Sequence, residues 1–308
     1  MPQLTLVEDA VDNASFDTIV NVASVPHRSP FRYPGGKTWL VPRVRGWLAS
    51  LPERPRRFVE PFVGGGSVAL TVAFEQLSDH VIMVERDPQV AAVWHTILEG
   101  DAAWLAREIV DFNMSDESLT AALERPAAST QDLAFQTILK NRTHRGGILA
   151  PGAGRIRYGE NGKGVLSRWY PETISSRILS ISEIRERITF IEGDGLLVAQ
   201  QYAGDPGAAF FIDPPYTAST KGAGSRLYLY SEIDHEALFR IASSFAGNFL
   251  MTYDDAQELH DLAARYGFDT RLVAMKNTHH AEMSELLIGR NIVREREMLR
   301  AELKGGSR

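Results

Sequence analysis

The apolar run Ala208-Ala209-Phe210-Phe211-Ile212 ends abruptly at Asp213-Pro214-Pro215-Tyr216, and this junction limits what the chain can build around it. Five apolar residues entered from Gly207 read as a buried strand. Two adjacent prolines then fix φ and remove two backbone donors, so the ladder stops there and the carbonyls are held rigidly. Open α/β sheets bind ligands at the carboxyl ends of their strands. The junction presents an acidic side chain, a fixed carbonyl and an aromatic ring at such an end. That set suits a flat base held by its exocyclic amine, with two acceptors for the N–H groups and a ring to stack on. A strand that merely ends in a Pro-Pro turn is the alternative reading.

The rest of the 308-residue chain supplies the sheet that this strand needs. Residues 1–29 show no sustained period and read as an N-terminal leader. From Phe31 strands and helices alternate, with strands expected at Arg57 to Phe62, His80 to Glu85, Ile188 to Glu192 and Asn248 to Tyr253. Helices are expected at Gly66 to Gln76, from Pro88, across Asp101 to Arg142 with breaks, at Pro171 to Arg187, Leu196 to Tyr202, Asp234 to Phe245 and Ala256 to Tyr266. Two late apolar runs, Arg271 to Met275 and Glu285 to Ile288, read as a closing hairpin. This alternation predicts a doubly wound, mostly parallel sheet. The expected organisation is a catalytic body over 30–100 and 188–293, an inserted helical and loop region over 101–187, and a charged tail over 294–308.

Cysteine is absent, which excludes disulfides and thiolate metal sites. No apolar run approaches the ~20 residues of a membrane span, and the N-terminus lacks a signal pattern, so a cytoplasmic protein is expected. The net charge of −6 argues against a basic fold overall. Its distribution is uneven, however. Between Lys140 and Phe190 ten Lys and Arg face four Glu, a local +6 that leaves −12 on the remainder. An acidic body with one basic segment fits a local polyanion site.

Two further motifs carry chemistry. Phe62-Val63-Gly64-Gly65-Gly66 lies between a strand and a helix, where glycines allow a sharp turn and close approach of a ligand. About twenty residues on, Glu85 closes the second strand, a position from which a carboxylate accepts hydrogen bonds from ribose hydroxyls. No Lys-Ser/Thr follows the glycines, which disfavours a triphosphate loop. The pair fits an adenosine-containing cofactor without a diphosphate; a plain strand–helix turn and a solvated Glu85 are the alternatives. Upstream, Tyr33-Pro34-Gly35-Gly36-Lys37 opens a helix with a lysine that is unfavourable for the dipole, so Lys37 is either aimed at an anionic group or solvated.

Taken in order, these motifs resemble the Dam-type (alpha-class, D12) adenine-N6 DNA methyltransferases. Tyr33-Pro34-Gly35-Gly36-Lys37 is similar to their aromatic-x-Gly-Gly-Lys motif, and Glu60-Pro61-Phe62-Val63-Gly64-Gly65-Gly66-Ser67 to their cofactor loop. Asp213-Pro214-Pro215-Tyr216 is similar to their catalytic tetrapeptide. The resemblance spans about Phe31 to Ile292. It implies a seven-stranded S-adenosylmethionine-dependent methyltransferase fold, with S-adenosylmethionine held by Tyr33, Lys37, Phe62, Gly64, Gly66, Glu85, Asp194 and Asp213. Asp194 also fits an ordinary helix N-cap. Catalysis would fall to Asp213, Pro214, Pro215 and Tyr216, acting on an adenine flipped out of duplex DNA.

The intervening segment is where the family places target recognition, and Asn141-Arg142-Thr143-His144-Arg145-Gly146-Gly147 resembles its start. Arg142, Arg145, Arg155, Arg157 and Lys163 are the expected phosphate or base contacts, with solvated basic residues as the alternative. Lys221, Arg226, Tyr228 and Tyr230 are placed to close over a flipped nucleotide. No metal is expected, and His279-His280 near Glu282 reads as a polar loop. A monomer with a partner restriction endonuclease completes the expectation. An RNA adenine-N6 methyltransferase and a non-catalytic DNA-binding regulator on the same fold are the competing readings.

Overall fold

The computed structural model describes residues 25–32, 36–150, 152–215, 233–276, 282–290 and 292. Seven strands form one sheet: β1 (Arg57–Glu60), β2 (His80–Glu85), β3 (Ile188–Glu192), β4 (Ala208–Ile212), β5 (Asn248–Asp254), β6 (Asp269–Lys276) and β7 (Glu282–Gly289). Their order is β3-β2-β1-β4-β5-β7-β6. Strands β1 to β5 run parallel, whereas β7 pairs antiparallel with both β5 and β6.

The apolar runs explain themselves once the sheet has two covered faces. Every residue of β4 is buried. Its side chains divide by the two-residue period of a strand. Ala209 and Phe211 enter one apolar cluster, Ala208, Phe210 and Ile212 the other. Val81 and Met83 of β2 likewise face one side while Ile82 and Val84 face the other. Phe210 stacks on Phe245 with ring centroids 3.9 Å apart.

Helices α2 (Ser67–Phe74) and α3 (Pro88–Leu98) cover the first face, and α8 (Gly195–Gln201), α9 (His235–Ser243) and α10 (Gln257–Arg265) the second. Helix α1 (Val41–Ser50) adds Val44, Trp47 and Leu48 to the first cluster. Asp87 caps α3 by accepting from the Gln89 amide at 2.8 Å, and Pro88 occupies the first helical position.

Between β2 and β3 the chain forms α4 (Ala102–Asp111), α5 (Asp116–Glu124), α6 (Thr130–Thr143) and α7 (Pro171–Glu183). The breaks expected within Asp101 to Arg142 separate α4 from α5 near Met114-Ser115 and α5 from α6 near Arg125-Pro126. Ile174, Ile178 and Ile181 of α7 are fully buried in the same cluster as α2 and α3, so this segment shares a core with the sheet. Residues 143–169 form short 3-10 turns and one antiparallel bridge, His144 to Arg155, and Val165, Ser167 and Trp169 are buried.

The late hairpin is present, and within it β7 lies beside β5 and leaves β6 at the edge. Of the expected leader only 25–29 are described; Val25 is buried there and Arg28 pairs with Glu75 at 3.0 Å. The tail over 294–308 lies outside the described residues, as do His279 and His280. Among the described residues no helix is long and apolar enough to cross a membrane.

Candidate active site

Strands β1 and β4 are adjacent and parallel, yet the chain leaves them in opposite directions, toward β2 and toward β5. A crevice must open at their carboxyl ends, which is where α/β sheets of this kind bind ligands. Glu60, the glycine loop and Asp213 all lie at those ends.

The glycine loop turns through backbone that only glycine adopts readily. Gly64 has φ +46° and Gly66, the N-cap of α2, has φ +67°. A Cβ on Gly66 would also stand 3.0 Å from the Trp94 ring. The loop is tied down on three sides. The Val63 amide donates to the Val84 carbonyl at 3.0 Å, Trp94 Nε1 donates to the Gly64 carbonyl at 3.0 Å, and the Gly64 amide donates to Glu85 Oε2 at 2.9 Å.

Glu85 Oε1 accepts two more backbone amides, from Arg86 and Asp87, each at 2.8 Å. Burial pushes the Glu85 carboxyl up to about 7, against the pull of those three amides. Asp194 caps α8 by accepting from the Leu196 amide at 2.8 Å, and its other oxygen lies 3.6 Å from Arg86. Next to it, a Cβ on Gly195 would meet the Pro61 carbonyl at 2.1 Å, so α8 starts directly against the glycine loop. Phe62, Gly64, Gly66, Glu85 and Asp194 therefore gather in one place.

Asp213 stands across the crevice. Its Oδ1 accepts from Thr252 Oγ1 at 2.8 Å and lies 3.3 Å from Lys37 Nζ. Pro214 is buried and Pro215 half-buried. Lys37 is itself buried, and its ammonium also donates to Glu285 on β7. Burial opposes the Lys37 charge, but Asp213 and Glu285 outweigh it and hold the ammonium above its usual range. The lysine at the start of a helix is thus aimed at anions, and those anions are carboxylates of the chain.

Glu60, at the end of β1, is buried and accepts the Ala69 amide of α2 at 2.7 Å. Burial, with some help from nearby Asp213, pushes its carboxyl well above the usual range. Tyr253 is fully buried, with its hydroxyl 3.0 Å from His235 Nδ1; burial and Asp213 raise its phenol.

Three of these residues escaped the sequence reading as site residues. Glu285 had a signal, a carboxylate directly before the apolar Leu286-Leu287-Ile288. Thr252 had none, because a threonine in a strand is ordinary. Glu60 was quoted only as part of a motif. Tyr33 and Tyr216 lie outside the described residues, as do Lys221, Arg226, Tyr228 and Tyr230.

The basic residues divide by exposure. Arg145, Arg157 and Lys163 are exposed. Arg155 is half-buried and donates to Thr120 Oγ1 at 2.7 Å. Arg142 is buried, with one guanidinium nitrogen donating to the Pro30 carbonyl.

The crevice fits the cofactor that the resemblance implies. Glu85 holds three amides on about four lone-pair positions, which leaves one acceptor for a ribose hydroxyl. No basic residue stands in the loop from Glu60 to Val68, in keeping with a cofactor that has no diphosphate. Lys37 faces two carboxylates, Asp213 and Glu285, and a net negative site suits a sulfonium cation.

Residues 33–84 match the family model of the D12 class N6 adenine-specific DNA methyltransferases. No curated protein matches the chain in sequence. Among solved structures, the rRNA methyltransferase AviRa from Streptomyces viridochromogenes is similar at 12% identity, covering 90% of this chain and 96% of that one with a TM-score of 0.39. Precorrin-6y C5,15-methyltransferase from Geobacter metallireducens is similar at 11% identity, over 80% and 86% of the two chains, with a TM-score of 0.32. The reversing seven-stranded sheet has the topology of the S-adenosylmethionine-dependent methyltransferase fold, and over residues 33–84 the chain is similar to the D12 class.

Proposed function

We propose that the chain methylates N6 of an adenine extruded from duplex DNA. The observation that carries this reading is the clamp on Asp213, whose Oδ1 is held by Thr252 and Lys37 at the carboxyl end of β4, directly before Pro214. S-adenosylmethionine, when bound, supplies an activated methyl group. The chain's residues supply orientation and charge. Adenine's amine is a weak nucleophile because its lone pair is delocalised into the ring. Donation of its N–H groups to Asp213 and to the Pro214 carbonyl favours a pyramidal nitrogen and stabilises the positive charge that grows there. Lys37 does not cancel this effect, because Glu285 offsets its charge. Together the three groups carry a net −1, and Lys37 acts as a positioning residue that fixes the carboxylate. Burial pushes the Glu60 carboxyl well above its usual range, which disfavours a second charge beside Asp213. In-line alignment does much of the remaining work.

Duplex DNA is supported by the D12 pattern and by the exposed Arg145, Arg157 and Lys163 in a segment rich in positive-φ glycines. Replacing Arg145 and Arg157 together with Ala is expected to weaken duplex binding and to lower the slope of log affinity against log salt by about 2. Cofactor affinity should stay unchanged. An unaltered slope would relocate the DNA surface. The substrate class itself is tested by offering labelled S-adenosylmethionine with duplex DNA and with RNA of matched sequence. Label in DNA alone supports the reading; label in RNA alone overturns it.

Glu85 gives a pH prediction. Its carboxyl rises on folding from 4.5 to about 7, so the folded state binds the extra proton between those values. Stability of the cofactor-free protein should therefore fall as pH rises through that window, and Glu85→Gln should flatten the slope. A ribose hydroxyl donating to Glu85 favours the ionised form, so cofactor binding near pH 7 should release part of a proton. Calorimetry in two buffers of different ionisation enthalpy measures this release. Equal release in Glu85→Gln would remove Glu85 from the cofactor site.

A further inference from the structure

A cavity of about 470 Å³ opens between the strap 25–32, the start of α1 and the C-terminal end of α6. Arg28, Ser29, Arg32, Ser67, Arg142 and Arg177 line it, and none of the described lining residues is acidic. Arg28 is already engaged by Glu75, at 3.0 Å. Two of the other three guanidiniums are anchored by backbone carbonyls. Arg142 donates to the Pro30 carbonyl and Arg177 to the Ser29 carbonyl, at 3.0 Å for the latter, so carbonyls orient them without neutralising them. Arg142 is only 5% exposed, and its Nε has no hydrogen-bond partner. A buried guanidinium nitrogen without an acceptor costs free energy, a cost that the rest of the Arg142 fork must offset.

The strap that carries Arg32 is itself rigidly built. The Arg32 amide donates to Asn141 Oδ1 at 2.7 Å, and Asn141 Nδ2 donates back to the Arg32 carbonyl at 2.8 Å. A Cβ on Gly147 would stand 2.1 Å from that same carbonyl. Phe31 packs on Trp94, which holds the Gly64 carbonyl, so the cavity wall and the cofactor loop share a support.

We propose that this cavity binds a phosphate group between the Arg32, Arg142 and Arg177 guanidiniums. Three planar forks with donors to spare match a tetrahedral anion with several acceptor oxygens. Burial, then Arg177 and Arg32, push Arg142 down to about 10, and burial followed by Arg168 lowers Arg32, with Tyr170 opposing both shifts only in part. The phosphate is either a diester of the nucleic-acid backbone or a free inorganic ion. The backbone source rests on the proposed DNA substrate; the inorganic source does not.

The test uses the whole chain at fixed ionic strength, with inorganic phosphate titrated against chloride and binding read as a shift in Tm. Wild type should show a saturable rise that Arg32→Gln and Arg177→Gln each weaken by at least about tenfold. Both residues are half-buried, so these variants are suited to folding where Arg142→Gln fails. Affinity for S-adenosylhomocysteine should be unchanged. A duplex oligonucleotide then separates the sources: a shallower salt slope in Arg32→Gln assigns the phosphate to DNA, and an unchanged slope with phosphate binding intact in wild type assigns a free ion. Absence of saturable phosphate binding, or equal binding in both variants, overturns the proposal. So does a matching loss of S-adenosylhomocysteine affinity, which would give the arginines to the cofactor's carboxylate. Failure of methylation on DNA leaves the inorganic arm standing, so the two readings fail separately.

Discussion

Asp213→Ala is expected to lower the rate of methyl transfer by about 10³-fold, the upper range for removing one preorganised electrostatic group from a transition state. The fold should survive. Lys37 loses Asp213 but keeps its ion pair with Glu285, and the Thr252 hydroxyl loses an acceptor. The loss should appear in kcat at saturating cofactor, with the affinity for S-adenosylhomocysteine little changed and the melting transition intact. Asp213→Asn separates the parts of the role, since the amide keeps the shape and an acceptor but loses the charge. If charge stabilisation matters most, Asn should be nearly as slow as Ala. Near-normal turnover in Asp213→Ala would remove the carboxylate from the mechanism.

The second large effect is on stability. Lys37→Met leaves Asp213 and Glu285 without their shared cation, and Glu285 is 3% exposed. Breaking a buried pair by removing one partner costs about 3–5 kcal/mol, because the remaining charge stays desolvated. The double variant Lys37→Met with Glu285→Gln should recover much of that loss, since the buried charge goes with its partner. Activity should not recover with it, because Asp213 loses its lateral support in both. Chemical denaturation measures the first part and a methyl-transfer assay the second. Stability that is unaffected in Lys37→Met would show that the ion pair contributes little. Activity restored in the double variant would show that Lys37 has no positioning role.

Much of the sheet was legible because its strands are buried on both faces. Ala208 to Ile212 and His80 to Glu85 announce themselves as short apolar runs bounded by turn residues, and the two-residue period then sorts them onto two cores. The site was legible where chemistry and turn geometry coincide, at Gly64, Gly66, Glu85 and Asp213. It was less legible where a residue's role depends on a partner far along the chain. Lys37 and Glu285 are 248 positions apart, and nothing local to either says that they meet. The placement of β7 inside the last hairpin is of the same kind: periodicity marks a strand but carries no information on its neighbour. Arg142 was grouped with the basic residues around it by charge and by its place in the Asn141-Arg142 motif. Its burial follows from the way α6 carries it under the strap, a tertiary fact without a local pattern.

In the proposed mechanism Asp213 and the Pro214 carbonyl present an adenine amine to the methyl donor. The most direct measurement is to incubate the protein with duplex DNA and methyl-labelled S-adenosylmethionine, digest the DNA to nucleosides and identify the labelled product by mass spectrometry. N6-methyldeoxyadenosine is the expected product, lost in Asp213→Ala. Label on a ring nitrogen, on carbon or on cytosine, or N6-methyldeoxyadenosine that persists in the variant, would contradict it.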